Sequence, residues 1–444
     1  MKKRKILIAL AIAIEVIVAI LLIVNITGKN SDNKSLAFTL IIMLLMIPIL
    51  LIALFLVLLS KNHHFAPSDS LSNDLEEHGN VNKSITERFY ILNKIERRKE
   101  SIGHAEYEND VTLAEICDRF QSYAASNLGL YYDIDDIRRF VAGLAVSHII
   151  ILQGMSGTGK TSMAHAFGEF IDNSSIIIPV QPMWKERTDL IGYYNEFTKR
   201  FNETLLLEKM YEANYSRDIY VTVLDEMNIA RVEYYFAEFL SLLELPDPDK
   251  RYIDVVSDQW ETDPPQLREG RIKLPTNMWF VGTANNDDST FAISDKVYDR
   301  AMILNLDKKS DRFAAAKTEP LRLSAERFDE LAKNATIEFS ISARNLKRLE
   351  SLDKYLIENF HISFGNRIMK QILSYIPIYI ACGGNELDAL DDILSKKILR
   401  KLETQNPIYL RNSISALIIF LDRLFGKQNL PQSMEVILKI QRNA

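Results

Sequence analysis

The sequence predicts an α/β fold, a parallel sheet with crossover helices, preceded by two membrane-spanning helices. Three observations predict it. Five short apolar runs, at 149–152, 175–181, 220–224, 278–284 and 301–306, are separated by helical segments or inserts long enough for crossover connections. A glycine-rich loop follows the first run and opens a helix. Two apolar stretches near the start each reach the roughly 20 residues that a helix needs to cross a bilayer.

Those stretches come first in the chain. Residues 6–24 are apolar except for Glu15, and residues 36–59 are apolar except for Thr39 and Pro48. The polar turn between them is short, so the expected unit is a helical hairpin over 1–60. Lys2, Lys3, Arg4 and Lys5 place the N-terminus on the cytoplasmic side, and two crossings return the chain there, as a multi-pass protein of the inner membrane. A cleaved signal peptide is the competing reading of the first stretch, but its apolar run is long and no small-x-small site ends it. Glu15 falls near mid-bilayer, where a carboxylate is expensive and a contact between helices of neighbouring subunits is one use for it.

Residues 60–84 turn polar and read as a tether, with His63–His64 in its juxtamembrane part. Residues 85–130 read as two or three amphipathic helices forming a small collar packed on the motor, so 61–130 is linker plus collar. A further helix at 133–146 has Asp133 or Asp135 placed to cap it. The chain has 444 residues, a net charge of −6 and two distant cysteines, Cys117 and Cys382, without metal spacing. This balance supplies no global pull toward nucleic acid, and no direct nucleic-acid signature is present. The cysteines read as reduced thiols.

The chemistry is concentrated between 154 and 300. Gly154, Met155, Ser156, Gly157, Thr158, Gly159, Lys160, Thr161 and Ser162 follow a buried strand and open a helix, the context that a phosphate-binding P-loop requires. The glycines let backbone N–H groups turn toward phosphate oxygens at a helix N-terminus. Lys160 is placed for the β and γ phosphates of ATP, and the Thr161 hydroxyl for Mg²⁺. The strand at 220–224 runs into Asp225 and Glu226, which suit the hold on Mg²⁺ and the base that polarises water. After it, Val232, Tyr235, Phe236, Phe239, Leu240 and Leu243 form a helical stripe expected to be core. Residues 245–275, rich in proline and in charges of both signs, read as a surface insert for subunit or partner contact.

With these motifs in place the sequence resembles the AAA+ superfamily, and within it the branch of McrB-type restriction motors, MoxR-type chaperones and dynein. GMSGTGKT at 154–161, LDEMNIA at 224–230, VGTANNDD at 281–288 and KVYDRA at 296–301 carry the resemblance, and 180–195 matches the branch's helix-2 insert. It covers about 135–425. The resemblance implies a five-stranded P-loop core with helices on both faces over 131–310 and a helical lid over 311–444. It makes Asn285 the sensor of water and γ-phosphate, and Arg300 the finger that reaches a neighbouring subunit's nucleotide in a homo-oligomeric, hexameric ring. By alignment to McrB-like lids Arg367 is the second-sensor arginine; Arg344, in a segment that resembles MoxR-type lids, is its rival. Arg367 lies in a segment that opens a helix, and the segment 389–402 follows it in that pattern.

The leading expectation is therefore a membrane-anchored, Mg²⁺-dependent ATPase that drives or remodels a partner effector. In an McrB-like restriction or phage-defence setting that partner is a nuclease. A membrane anchor stands where better-known McrB chains carry DNA recognition, and some relatives use GTP. A MoxR-like chaperone and a nucleotide-gated membrane scaffold with little turnover are the competing functions. The presence of Glu226, Asn285 and Arg300 together argues against the scaffold.

Overall fold

The structure is a computed structural model and describes residues 87–443 except 105, 286–289 and 308–309. The expected membrane hairpin at 1–60, with Glu15, and the tether after it lie outside the described residues. Among the described residues, no helix is long and apolar enough to cross a membrane.

Among the described residues there are nine strands: β1 (Ile149–Gly154), β2 (Ile176–Pro179), β3 (Gly192–Asn195), β4 (Arg200–Glu203), β5 (Tyr220–Asp225), β6 (Tyr252–Asp254), β7 (Arg271–Lys273), β8 (Met278–Asn285) and β9 (Met302–Asn305). Five of them form one parallel sheet in the order β2-β5-β8-β1-β9, and these five are the five apolar runs of the sequence. The insert regions contribute two antiparallel hairpins, β3–β4 and β6–β7. The central strands are covered on both faces, which explains their unbroken apolar character. Side chains alternate across the sheet: Ile150 and Leu152 enter one apolar cluster, Ile149 and Ile151 the other.

The helices are α1 (Ile91–Arg97), α2 (Leu113–Leu128), α3 (Ile134–Val146), α4 (Lys160–Phe170), α5 (Leu205–Ala213), α6 (Ala237–Leu243), α7 (Ala325–Glu338), α8 (Ala343–Phe360), α9 (Gly365–Ala381), α10 (Glu386–Ile393), α11 (Pro407–Phe425) and α12 (Pro431–Asn443), besides shorter turns. Local chemistry sets the ends of the first ones. Thr112 and Glu115 form a reciprocal capping box at the start of α2, and Gly129 ends it in the left-handed region. The Asp133 side chain caps α3 by accepting from the Asp135 N–H.

The helices before residue 130 pack on the sheet, one on each face. Leu92 and Ile95 of α1 join the cluster on one sheet face, whereas Ile116 and Phe120 of α2 join the other. Phe120 packs on Phe167 and Phe170 at ring distances of 5.2 and 5.4 Å, so this segment is core. The cluster that holds Phe120 also runs through Ile372 and Tyr375 of α9 into Leu394 and Ile414, which joins the lid helices to the sheet. Cys117 and Cys382, distant in sequence, meet here as buried free thiols, and burial and the Cys382 thiol push the Cys117 thiol up. The chain enters this unit through Arg88, whose buried guanidinium pairs with Asp263 at 2.6 Å and lies 4.3 Å over the Trp260 ring. Glu203, on β4, accepts the N–H groups of Tyr90, Ile91 and Leu92 at the start of α1.

The segment 389–402 changes helix type along its length. α10 ends at Ile393, a π-helical turn spans Leu394–Ile398, and a 3₁₀ turn spans Leu399–Thr404. Adjacent Lys396 and Lys397 are both buried there and serve different partners, Asp392 and the Tyr298 carbonyl. The stripe after Glu226 is core as expected, with Val232, Tyr235, Phe236, Phe239 and Leu240 buried, although a bend at Phe236 splits its helix.

Candidate functional site

The sheet order places β1 between β8 and β9, where the strand order reverses, so the crevice beyond the carboxyl ends of β1 and β8 is the expected ligand position. The loop 154–159 leaves β1 into that crevice. At Gly154, φ is +146° and a Cβ would lie 2.4 Å from the Leu306 carbonyl oxygen, so no side chain fits. Gly159 caps α4 at φ +90°, and its carbonyl accepts from the Tyr132 hydroxyl at 3.2 Å. Burial pushes the Tyr132 phenol up, so it stays protonated as a donor. Lys160 is buried, with Nζ donating to the carbonyls of Gly154 and Met155 at 3.0 and 2.7 Å. An ammonium held inside a turn of backbone at the N-terminus of an 11-residue helix is a fit for an anionic phosphate tail.

The cation-side groups are assembled as well. The Thr161 hydroxyl donates to Asp225 Oδ1 at 2.7 Å, and the Thr283 hydroxyl donates to the same oxygen at 2.8 Å. Thr283 Oγ1 in turn accepts the Glu226 N–H at 2.8 Å. One buried threonine on β8 therefore ties the two acidic residues together across neighbouring strands. Hydroxyl and carboxylate oxygens at these positions suit a hard cation such as Mg²⁺. Glu226 adopts φ +52°, a left-handed conformation that costs a non-glycine residue about 1–2 kcal/mol. The sharp turn leaves the Glu226 carboxylate exposed beside a fixed Asp225.

Asn285 ends β8 directly opposite Gly154 in the parallel register, so the expected sensor lies beside the phosphate loop. Its backbone carbonyl accepts from Asn228 Nδ2 and from the Thr290 hydroxyl, each at 3.0 Å. A cleft of about 890 Å³ opens alongside, lined by Asn228, Asn285 and Asn305 from the sheet edge and by Ser395, Lys396 and Arg400 from the lid.

Arg300 and Arg367 converge on one carboxylate. Glu244, just past the end of α6, pairs with Arg300 Nη2 at 2.9 Å and with Arg367 Nη2 at 2.7 Å. Arg300 Nη1 also donates to the Lys296 carbonyl at 2.7 Å. The side-chain contacts found for Arg300 in its own chain are thus with Glu244 and Lys296, not with the phosphate loop. Arg344 is exposed in the first turn of α8 and does not join this cluster.

Sequence reasoning assigned no role to Thr283, Asn228, Tyr132 or Glu244. A threonine and an asparagine inside the two motif segments were the available signals for the first two. Tyr132 and Glu244 had none, because their partners are remote in the chain.

The family model described as AAA domain (dynein-related subfamily) matches residues 149–301, and one described as a domain of unknown function (DUF8727) matches residues 318–444. No curated protein matches the chain. Among solved structures, a candidate ATPase from Cytophaga hutchinsonii is similar at 13% identity and a TM-score of 0.38, covering 80% of this chain and 96% of its own. A full-length MCM homolog from Methanopyrus kandleri is similar at 12% identity and a TM-score of 0.34, covering 63% of this chain and 58% of its own. The AAA match spans the phosphate loop, the strand that ends in Asp225 and the strand that ends in Asn285. The chain carries an AAA+ ATPase domain and is an NTP hydrolase.

Proposed function

We propose that this chain is a membrane-anchored ring ATPase that hydrolyses Mg²⁺-bound ATP between subunits to drive or remodel a partner protein. The observation that carries the reading is the division of the site. Lys160, Thr161, Asp225, Glu226 and Asn285 gather at one edge, whereas Arg300 contacts Glu244 and Lys296 of its own chain. A neighbouring copy is the natural source of the missing cation. Arg367 shares Glu244 with Arg300, so a nucleotide that meets one arginine meets both.

In this mechanism the phosphate loop and Lys160 hold the β and γ phosphates, and Thr161 with Asp225 would hold a Mg²⁺ ion, which would supply charge neutralisation at the phosphates. Glu226 accepts a proton from the attacking water, Asn285 orients that water, and Arg300 of the neighbour stabilises charge developing on the γ-phosphate. A scaffold that only binds nucleotide needs neither an exposed base at Glu226 nor a finger, and turnover is favoured for that reason.

The apolar runs at 6–24 and 36–59, behind the basic Lys2–Lys5 segment, support an anchor that keeps the ATPase on the cytoplasmic face of the inner membrane. The McrB-like lid pattern supports a restriction or defence role with a nuclease as the partner effector.

Mixing two inactive full-length variants tests the ring. Arg300→Ala should bind ATP and lose about 10³-fold or more in turnover, as trans-acting fingers do. Lys160→Ala should lose ATP binding. Mixed in detergent, the second protein offers its intact Arg300 to the first protein's intact pocket, and activity should return as total protein rises. A mixture that stays inactive while sizing detects mixed oligomers refutes a finger acting across the interface.

A further inference from the structure

We propose that Lys397 is a positioning residue through which the lid fixes Arg300 for the neighbouring subunit's nucleotide. The inference rests on the trans-acting reading of Arg300 and names the part of the chain that sets its pose. Arg300 follows a short helical turn, Asp295–Tyr298, and precedes β9. Within the segment the Asp299, Arg300 and Ala301 N–H groups donate back to Asp295 and Val297, and the Ser147 hydroxyl donates to the Arg300 carbonyl, which leaves the Tyr298 and Ala301 carbonyls to be held from elsewhere. The lid holds them. Lys397 Nζ donates to the Tyr298 carbonyl at 2.7 Å and to the Ala301 carbonyl, the two sides of Arg300. An ammonium at the carbonyl end of a helical turn is electrostatically favoured.

Three neighbours reinforce the grip. Arg400 pairs with Asp295 at 2.6 Å and lies 4.0 Å over the Tyr298 ring. Lys401 pairs with Asp299 at 3.2 Å, and Gln371 donates to the Asp299 carbonyl at 3.3 Å. Lys397 is the buried member of this set, at 2% exposure. A buried ammonium is costly unless it is paired or hydrogen-bonded, and here the Tyr298 and Ala301 carbonyls accept from it. The π-helical turn at 394–398 is what brings it in, because its wider turn directs Lys396 to Asp392 and Lys397 to the Arg300 segment. π-turns inside helical segments occur frequently at functional sites.

Asp392 links the clamp to the rest of the molecule. It also receives the Tyr375 hydroxyl at 2.7 Å and pairs with Arg139 of α3 at 3.2 Å. A shift of the lid relative to α3 would therefore reach Arg300 through adjacent lysines.

The two-variant mixture provides the test, with Lys397→Met placed in one chain at a time. In the finger-donating chain (Lys160→Ala, Lys397→Met) the recovered turnover should fall on the order of 10²-fold, with the KM for ATP unchanged. In the accepting chain (Arg300→Ala, Lys397→Met) recovery should persist, because that chain's own finger is already gone. The accepting arm also reports whether Lys397→Met folds and assembles. Equal loss in both arms, or no loss in the donating arm, overturns the proposal. A control mixture without Lys397→Met that fails to recover refutes the trans-acting finger itself, and the role of Lys397 falls with it.

Discussion

Thr283→Val separates the two acidic residues of the site without removing either. Valine matches the shape of threonine and lacks only the hydroxyl, and Thr283 is fully buried, so the change is confined to two hydrogen bonds. The bond to the Asp225 carboxylate involves a charged acceptor, worth about 1.5–3 kcal/mol. The bond from the Glu226 N–H holds that residue at φ +52°, and its loss lets the turn relax by about 1–2 kcal/mol toward ordinary backbone. If about 3 kcal/mol of this total is expressed in the transition state, turnover falls about 10²-fold. The Lys160 contacts are untouched, so ATP should bind without magnesium as it does to the wild type, while the Mg²⁺ concentration for half-maximal turnover rises. The assay is steady-state phosphate release against Mg²⁺ at saturating ATP. A variant within about threefold of wild-type turnover, with an unchanged Mg²⁺ dependence, refutes the reasoning.

Glu226→Gln keeps the side-chain shape and loses the base. ATP should bind normally and persist, with turnover reduced about 10²- to 10⁴-fold, read by single-turnover hydrolysis of labelled ATP. Wild-type turnover would make Glu226 structural. Lys397 predicts a pH dependence. Burial, with help from Arg400, Lys401 and Arg367 and against Asp299, lowers its pKa from 10.5 to about 7. Between those values the unfolded chain binds the extra proton, so stability should rise with pH above 7 and stay flat below it. The wild type should gain about 2–3 kcal/mol over Lys397→Met from pH 6 to pH 9 in denaturant unfolding. Parallel curves would show that burial does not lower the Lys397 pKa.

The central sheet was legible because each strand is a buried apolar run that ends in a marked turn: glycine after 152, acid after 224, asparagine after 284. The insert hairpins were not, since strands of three or four residues such as Tyr252–Asp254 carry no usable alternation. In the lid, Leu394, Ile398 and Leu402 keep a helical spacing, so the π-turn at 394–398 leaves no mark in the sequence pattern. For the site, the phosphate loop and the Asp225–Glu226 pair are contiguous in sequence and could be read. The Glu244 carboxylate under Arg300 and Arg367 is a contact between α6, the turn before β9 and α9, and no local pattern announces it. The meeting of Cys117 and Cys382 is hidden for the same reason.

The seating of Arg88 bears on how tension would travel through the chain. Force applied ahead of residue 87 arrives first at a guanidinium wedged between Asp258 and Asp263 and under Trp260, then at a helix start whose first amides are held by Glu203. Both anchors belong to the inserts, one to the loop before β7 and one to β4. The load therefore passes sideways into the two hairpins before it can peel α1 away. Conversely, a displacement of either hairpin pulls on the leading end of the chain, as a lever pulls on a cable.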